Sequence, residues 1–257
     1  MTVSPPAIPP APATARADLL VLMLHRSTAA GGNPPARLEA LFAEIARRHR
    51  CVLPGEPLEP GRLNVCLSFD DAYYDFYYNA FPLLRRHGLR ALLAVSAGLI
   101  PERSDLPPSI RLVLPDQSPE PHTVAGGLCT WGELGELAGS GQVAVAAHGW
   151  FHERLDSPRA DLGLEVDQAG ETLRRRLGVT VDSFVFPHGR LTSRSLARVR
   201  AQYRYALRIG SALNSRWDAR LLYRVPGDGR SDPVALFGPD NLRHWRRRAF
   251  WNRLRRR

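Results

Sequence analysis

The chain has 257 residues, 44% hydrophobic and 23% charged, which is enough length and apolar content to bury one full-sized core. Its net charge of +10 sits in a tail: all 35 basic residues are Arg, and eight of them fall between Arg243 and Arg257 with no acid. Without those eight, 27 basic residues face 25 acidic ones, which argues against a nucleic-acid-binding body, and no apolar run approaches the ~18 residues of a transmembrane helix.

Residues 1–17 are Pro- and Ala-rich and lack a basic stretch followed by an apolar one. They read as a disordered leader rather than a secretion signal, and a cytoplasmic protein is the expectation. LLVLML (19–24) is the first strand-like run and ends at His25. Leu38, Leu41, Phe42 and Ile45 then repeat at helical spacing over 36–49. LNVCLSF (63–69) runs into Asp70-Asp71, a helix candidate at 77–87 closes on His87-Gly88, and LRALLAVS (89–96) is the next strand.

Segment 101–129 is rich in Pro and Gly with little periodicity, and reads as a long surface insertion. Thr130 can cap a helix over 131–139 with Glu133 completing a capping box. QVAVAA (142–147) ends at His148, with His152 four residues on. A helical pattern over 160–177 closes on Gly178, and SFVF (183–186) ends at Pro187-His188-Gly189. Thr192 or Ser193 can cap a helix to about Ala201, and YRYALRI (203–209) and LLYRV (221–225) complete the strands. Nearly continuous apolar runs alternating with helices predict an α/β fold with parallel strands covered on both faces; seven of them suit a closed or nearly closed barrel. Three cysteines, Cys51, Cys66 and Cys129, form no CxxC pair, and Cys66 reads as a buried thiol.

Four strands thus deliver polar, metal-competent or proton-transferring residues at the same end, where βα barrels carry their sites. Each feature alone has a plainer explanation: a turn for Asp-Asp or Pro-His-Gly, a core histidine for His25, a solvated pair for HxxxH. Jointly they suit one divalent metal held by two histidines and one aspartate, with the neighbouring aspartate left to take a proton from water.

LSFDDAYYDFYYNAFPLLRRHGLRALLAVSAGLI resembles the first motif region of the polysaccharide deacetylase family, the NodB-homology or carbohydrate esterase family 4 domain. CTWGELGELAGSGQVAVAAHGWFH is similar to the second region, and VDSFVFPHGRLTSRSLARVR to the third, in the same order from about Leu19 to Val225. The resemblance implies a deformed (β/α) barrel of about seven parallel strands, TIM-barrel-like, over 18–238. It also implies metal-dependent hydrolytic removal of N- or O-acetyl groups from sugars. Carried over, Asp70 would be the general base, and Asp71, His148 and His152 the metal ligands. The backbone N–H of His188 would meet the oxyanion.

Three departures stand out. Ala72 replaces the family's glycine after Asp-Asp, Gly-Trp-Phe follows His148, and the late Leu-x-His motif that supplies the general acid is absent after Val225. MLHRS resembles relatives that place that histidine after an N-terminal strand, so His25 is expected as the acid. The metal expected is zinc, with cobalt, nickel, manganese or iron(II) also suited.

The substrate expected is an acetylated saccharide or glycolipid. Deformylation or deacetylation of a lipid-carrier-linked sugar is an alternative, and so is a carbohydrate-binding pseudoenzyme. The basic aromatic tail, 239–257, spreads its apolar residues over a broad arc if helical. It reads either as a solvated terminus or as a peripheral contact with anionic membrane through Arg243–Arg257.

Overall fold

Strand β1 (Asp18–Leu24) lies parallel to β3 (Leu63–Phe69) in unbroken register, from Asp18 opposite Leu63 to Leu24 opposite Phe69. That pairing closes the sheet. In the computed structural model, which describes residues 17–30, 32–114 and 126–254, the remaining strands are β4 (Ala91–Val95), β5 (Val143–Ala147), β6 (Ser183–Val185), β7 (Tyr205–Ile209) and β8 (Leu222–Pro226). The order β1-β8-β7-β6-β5-β4-β3, all parallel, makes the predicted closed barrel of seven strands. A short β2 (Arg50–Cys51) adds to β3 beside Asn64 and Val65, where β4 has not yet begun. The leader, apart from Ala17, and the centre of the insertion, 115–125, lie outside the described residues.

Alternation along the strands explains their continuous apolar character. Leu19 and Val21 join Cys66, Leu92, Ala94, Ala146, Val185, Leu207 and Leu222 inside the barrel, whereas Leu20, Leu22 and Leu24 pack outward under the helices. Both faces are dry, and each fully buried Leu contributes roughly 1.5–3 kcal/mol.

The helices form as their patterns dictate. In α1 (Pro35–Arg48), Leu38, Leu41, Phe42 and Ile45 are buried on one face. A π-helical stretch, Phe76–Ala80, leads into α2 (Phe81–Arg86). There Phe81 donates to the carbonyl of Phe76, and Pro82, which has no N–H to offer, follows at the widened turn. The short α3 (Pro108–Arg111) belongs to the insertion, and the predicted capping box of Thr130 and Glu133 opens α4 (Trp131–Gly139). Helix α5 (Ala169–Leu177) ends on Gly178 at φ 67°, and Thr192 caps α6 (Ser193–Gln202). The last described element is α7 (Pro239–Leu254).

The insertion is tied down at its described ends. Buried Arg111 donates to the carbonyls of Gly126 (3.2 Å) and Leu128 (2.7 Å), pairs with Glu133 and lies 3.6 Å over the Tyr74 ring. Arg26 donates to the carbonyls of Leu112 and Leu114 and to Asp75. Cys51, Cys66 and Cys129 are all free thiols, with Cys66 and Cys129 buried.

Candidate active site

Backbone hydrogen bonds extend the barrel ladder one residue past its strands: Asp70 N–H donates to Leu24 O, and His148 N–H to Val95 O, both at 2.9 Å. These bonds fix where the side chains of Asp70 and His148 start. The chain then leaves the strand abruptly, with Asp71 at φ 71° and Ala72 at φ 56°, both left-handed. Two successive turns of that hand swing Asp71 away from Asp70, so the neighbouring carboxylates serve different partners. Ala72 is fully buried, and its carbonyl accepts from Cys129 N–H at 2.8 Å. Its methyl occupies a backbone conformation that glycine adopts without cost.

Asp71 Oδ1 lies 3.7 Å from His148 Nε2 and 3.5 Å from His152 Nε2, and the three ligand atoms lie within 4.8 Å of one another. His148 Nδ1 donates to Val185 O at 2.7 Å, which leaves Nε2 as the bare nitrogen aimed at the cluster. Burial pushes the His148 pKa down to about 3 and lowers that of His152, so both are neutral and ligand-ready at ordinary pH. A carboxylate and two neutral imidazoles converging from different strands fit a divalent cation of the zinc type.

The turn carrying His152 is shaped from behind. Buried Glu165 accepts the backbone N–H groups of Trp150 (2.9 Å) and Phe151 (3.0 Å). Gly149 at φ 84° lies so close to that carboxylate that a side chain there would meet Oε2 at 2.4 Å. His152 itself is held at φ 60°.

Asp70 faces elsewhere. Its Oδ1 accepts from Arg224 at 2.6 Å, and its Oδ2 looks toward His25 Nε2 at 3.7 Å and His148 Nε2 at 3.9 Å. Burial opposes its charge, but the guanidinium of Arg224, helped by His148 and His25, holds its pKa at about 2. His25 in turn is gripped by Asp228, which accepts from its backbone N–H at 3.0 Å and from Nδ1 at 2.6 Å. Asn33 steadies Asp228 through a 2.6 Å hydrogen bond. Burial would lower the His25 pKa; the Asp228 hydrogen bond and the charges of Asp70, Asp228 and Asp71 outweigh it and raise it to about 9.

Of the six residues singled out in the sequence, His25, Asp70, Asp71, His148 and His152 converge. His188 sits in the turn after β6 at φ 55°, its ring exposed and 4.5 Å from that of His152. Among the described residues no acceptor meets its backbone N–H. Arg224, Asp228 and Glu165 were not foreseen. An arginine inside the apolar run LLYRV was a readable signal of a buried partner, whereas Asp228 in PGDGR looks like any turn and Glu165 like any helix surface.

No curated protein matches the chain. Among solved structures, IcaB from Ammonifex degensii is 21% identical at a TM-score of 0.68, with 86% of this chain and 96% of that one covered. A Streptococcus pyogenes deacetylase, PplD, in complex with acetate is 17% identical at 0.68, covering 90% and 99%. A de-N-acetylase from Aggregatibacter actinomycetemcomitans is 18% identical at 0.66, covering 89% and 99%. At these identities the likeness is one of fold. The family model for polysaccharide deacetylase matches residues 59–206, more than half of the chain and with both Asp70-Asp71 and the 148–152 turn inside it, so the chain belongs to the polysaccharide deacetylase family.

Proposed function

We propose that the protein is a metal-dependent hydrolase that removes an acetyl group from an acetylated sugar of a glycan or glycoconjugate. The observation that carries this reading is the division of labour between adjacent aspartates. Asp71 faces two neutral imidazoles, while Asp70 is held apart by Arg224 with one oxygen free. A binding protein has no use for an ionised carboxylate beside a ligand cluster.

A divalent cation held by Asp71, His148 and His152 would supply Lewis acidity to the acyl carbonyl and would acidify water enough for a weakly basic carboxylate to deprotonate it. Asp70 Oδ2 takes that proton as the water oxygen bonds to the acyl carbon. Arg224 keeps Oδ1 occupied and the carboxylate ionised and oriented. The backbone N–H of His188 donates to the developing oxyanion. His25, with Nδ1–H on Asp228, presents Nε2–H on the Asp70 side and passes that proton to the leaving sugar nitrogen or oxygen as its bond to the acyl carbon breaks.

The test is acetate release from N-acetylglucosamine oligosaccharides by zinc-loaded protein. Release that is abolished in Asp70→Asn is expected. Sugar binding with no release by the wild type would overturn the enzyme reading in favour of a binding protein.

A further inference from the structure

The C-terminal helix has two apolar faces. At about 100° per residue, Trp245, Ala249 and Asn252 fall on one side of α7, and Arg243, Arg247, Phe250 and Trp251 on the other. The first side docks on the barrel. Trp245 and Ala249 are buried, Asn252 donates to Gly210 O at 3.0 Å, and Arg246 reaches Asp18 at 2.6 Å. The second side faces solvent, with Phe250 61% and Trp251 57% exposed and their rings edge to face at 5.8 Å. That double use is why the sequence shows a broad apolar arc rather than a single stripe.

Where α7 meets the end of β7, a cleft of about 330 Å³ is lined by Arg208, Ile209, Gly210, Ser211, Tyr223 and, from α7, Arg248 and Asn252. It holds two guanidinium groups and no carboxylate. Among the described residues, neither Arg208, Arg247 nor Arg248 forms an ion pair. The cleft adjoins the catalytic end of the barrel: Ile209, the last residue of β7, packs so tightly on Gly189, next to His188, that a side chain at Gly189 would meet it at 3.0 Å.

We infer that the outer face of α7 and the Arg208–Arg248 cleft dock on an anionic phospholipid bilayer. Phe250 and Trp251 enter the interface, guanidinium groups meet lipid phosphates, and the barrel mouth comes to lie beside the membrane. A nucleic acid would satisfy the charge but not the protruding aromatic pair. The docking stands independently of the deacetylase reading; only a membrane-borne saccharide as its substrate rests on it.

The experiment is co-sedimentation of the full chain with phosphatidylcholine vesicles, alone or with about 30% phosphatidylglycerol, at about 0.1 M salt. Wild-type protein is expected to partition at least about tenfold better onto the anionic vesicles, with Phe250→Ala/Trp251→Ala and, separately, Arg247→Glu/Arg248→Glu each losing about tenfold or more. All four positions are exposed, so the melting temperature and release of acetate from soluble oligosaccharide should stay at wild-type values. Three outcomes would overturn the inference: no anionic preference, binding that survives the aromatic double substitution, or a wild-type dimer that this substitution converts to monomer. Acetate release is only a control, so failure of the catalytic reading leaves the sedimentation result decisive.

Discussion

Arg224 and Asp70, buried to 1% and 3% exposure on neighbouring parts of the barrel lumen, share a 2.6 Å charge-assisted hydrogen bond that leaves one carboxylate oxygen free. Removing the guanidinium strands a buried charge, at a cost of about 3–5 kcal/mol. Arg224→Met should therefore lower the melting temperature by roughly 6–20 °C. Adding Asp70→Asn should recover much of that loss while activity stays absent. Equal melting temperatures for the single and double variants would refute the pairing.

Asp228 sets the acidity of His25. If His25 is the proton donor, its active form is the charged one, and activity should fall as pH rises through its pKa of about 9. In Asp228→Asn that basic limb should move down toward the ordinary 6.5, with a kcat loss of about tenfold or more at pH 8. The same raised pKa stabilises the fold fully below pH 6.5, and this contribution is lost as pH climbs through about 9. The wild-type advantage in melting temperature over Asp228→Asn should shrink across that window. An unmoved limb would rule out His25 as the proton donor.

Glu165 touches no reacting group, but it accepts two backbone N–H groups of the turn that ends in His152. Glu165→Gln should leave the fold intact and weaken zinc affinity by about 10–100-fold, as loss of an outer support typically does. Calorimetric titration with zinc measures this directly, and unchanged affinity would show the turn to be self-supporting.

If Asp71, His148 and His152 hold a cation, zinc at 100 times its dissociation constant should stabilise the folded state by about 2.7 kcal/mol. The corresponding rise in melting temperature should vanish with a chelator and in Asp71→Asn. A rise that persists in Asp71→Asn would place the ion elsewhere.

Ala72 holds a methyl in the left-handed region inside the core. Ala72→Val adds β-branching where it is least tolerated, and should cost about 2–4 kcal/mol and disturb Asp71 beside it. Thermal unfolding and zinc affinity should both fall; a variant that retains both would show that the turn can relax.

The barrel was legible because its strands are covered on both faces: runs such as LLVLML and QVAVAA cannot face water, and helical patterns between them leave only parallel pairing. The placement of the candidate residues at strand ends was legible too, since His25, Asp70, Asp71 and His148 follow their strands directly. The widened turn before Pro82 left no periodic signature. The sequence by itself thus determined the barrel and the residues at its mouth. Only the tertiary structure decided which partners those residues meet: Arg224 and Asp228 lie 154 and 203 positions from Asp70 and His25, and closure of β8 onto β1 brings them together. It also decided which side of α7 faces water. Contacts across such separations leave no periodicity in the chain, because they arise from barrel closure rather than from local backbone geometry.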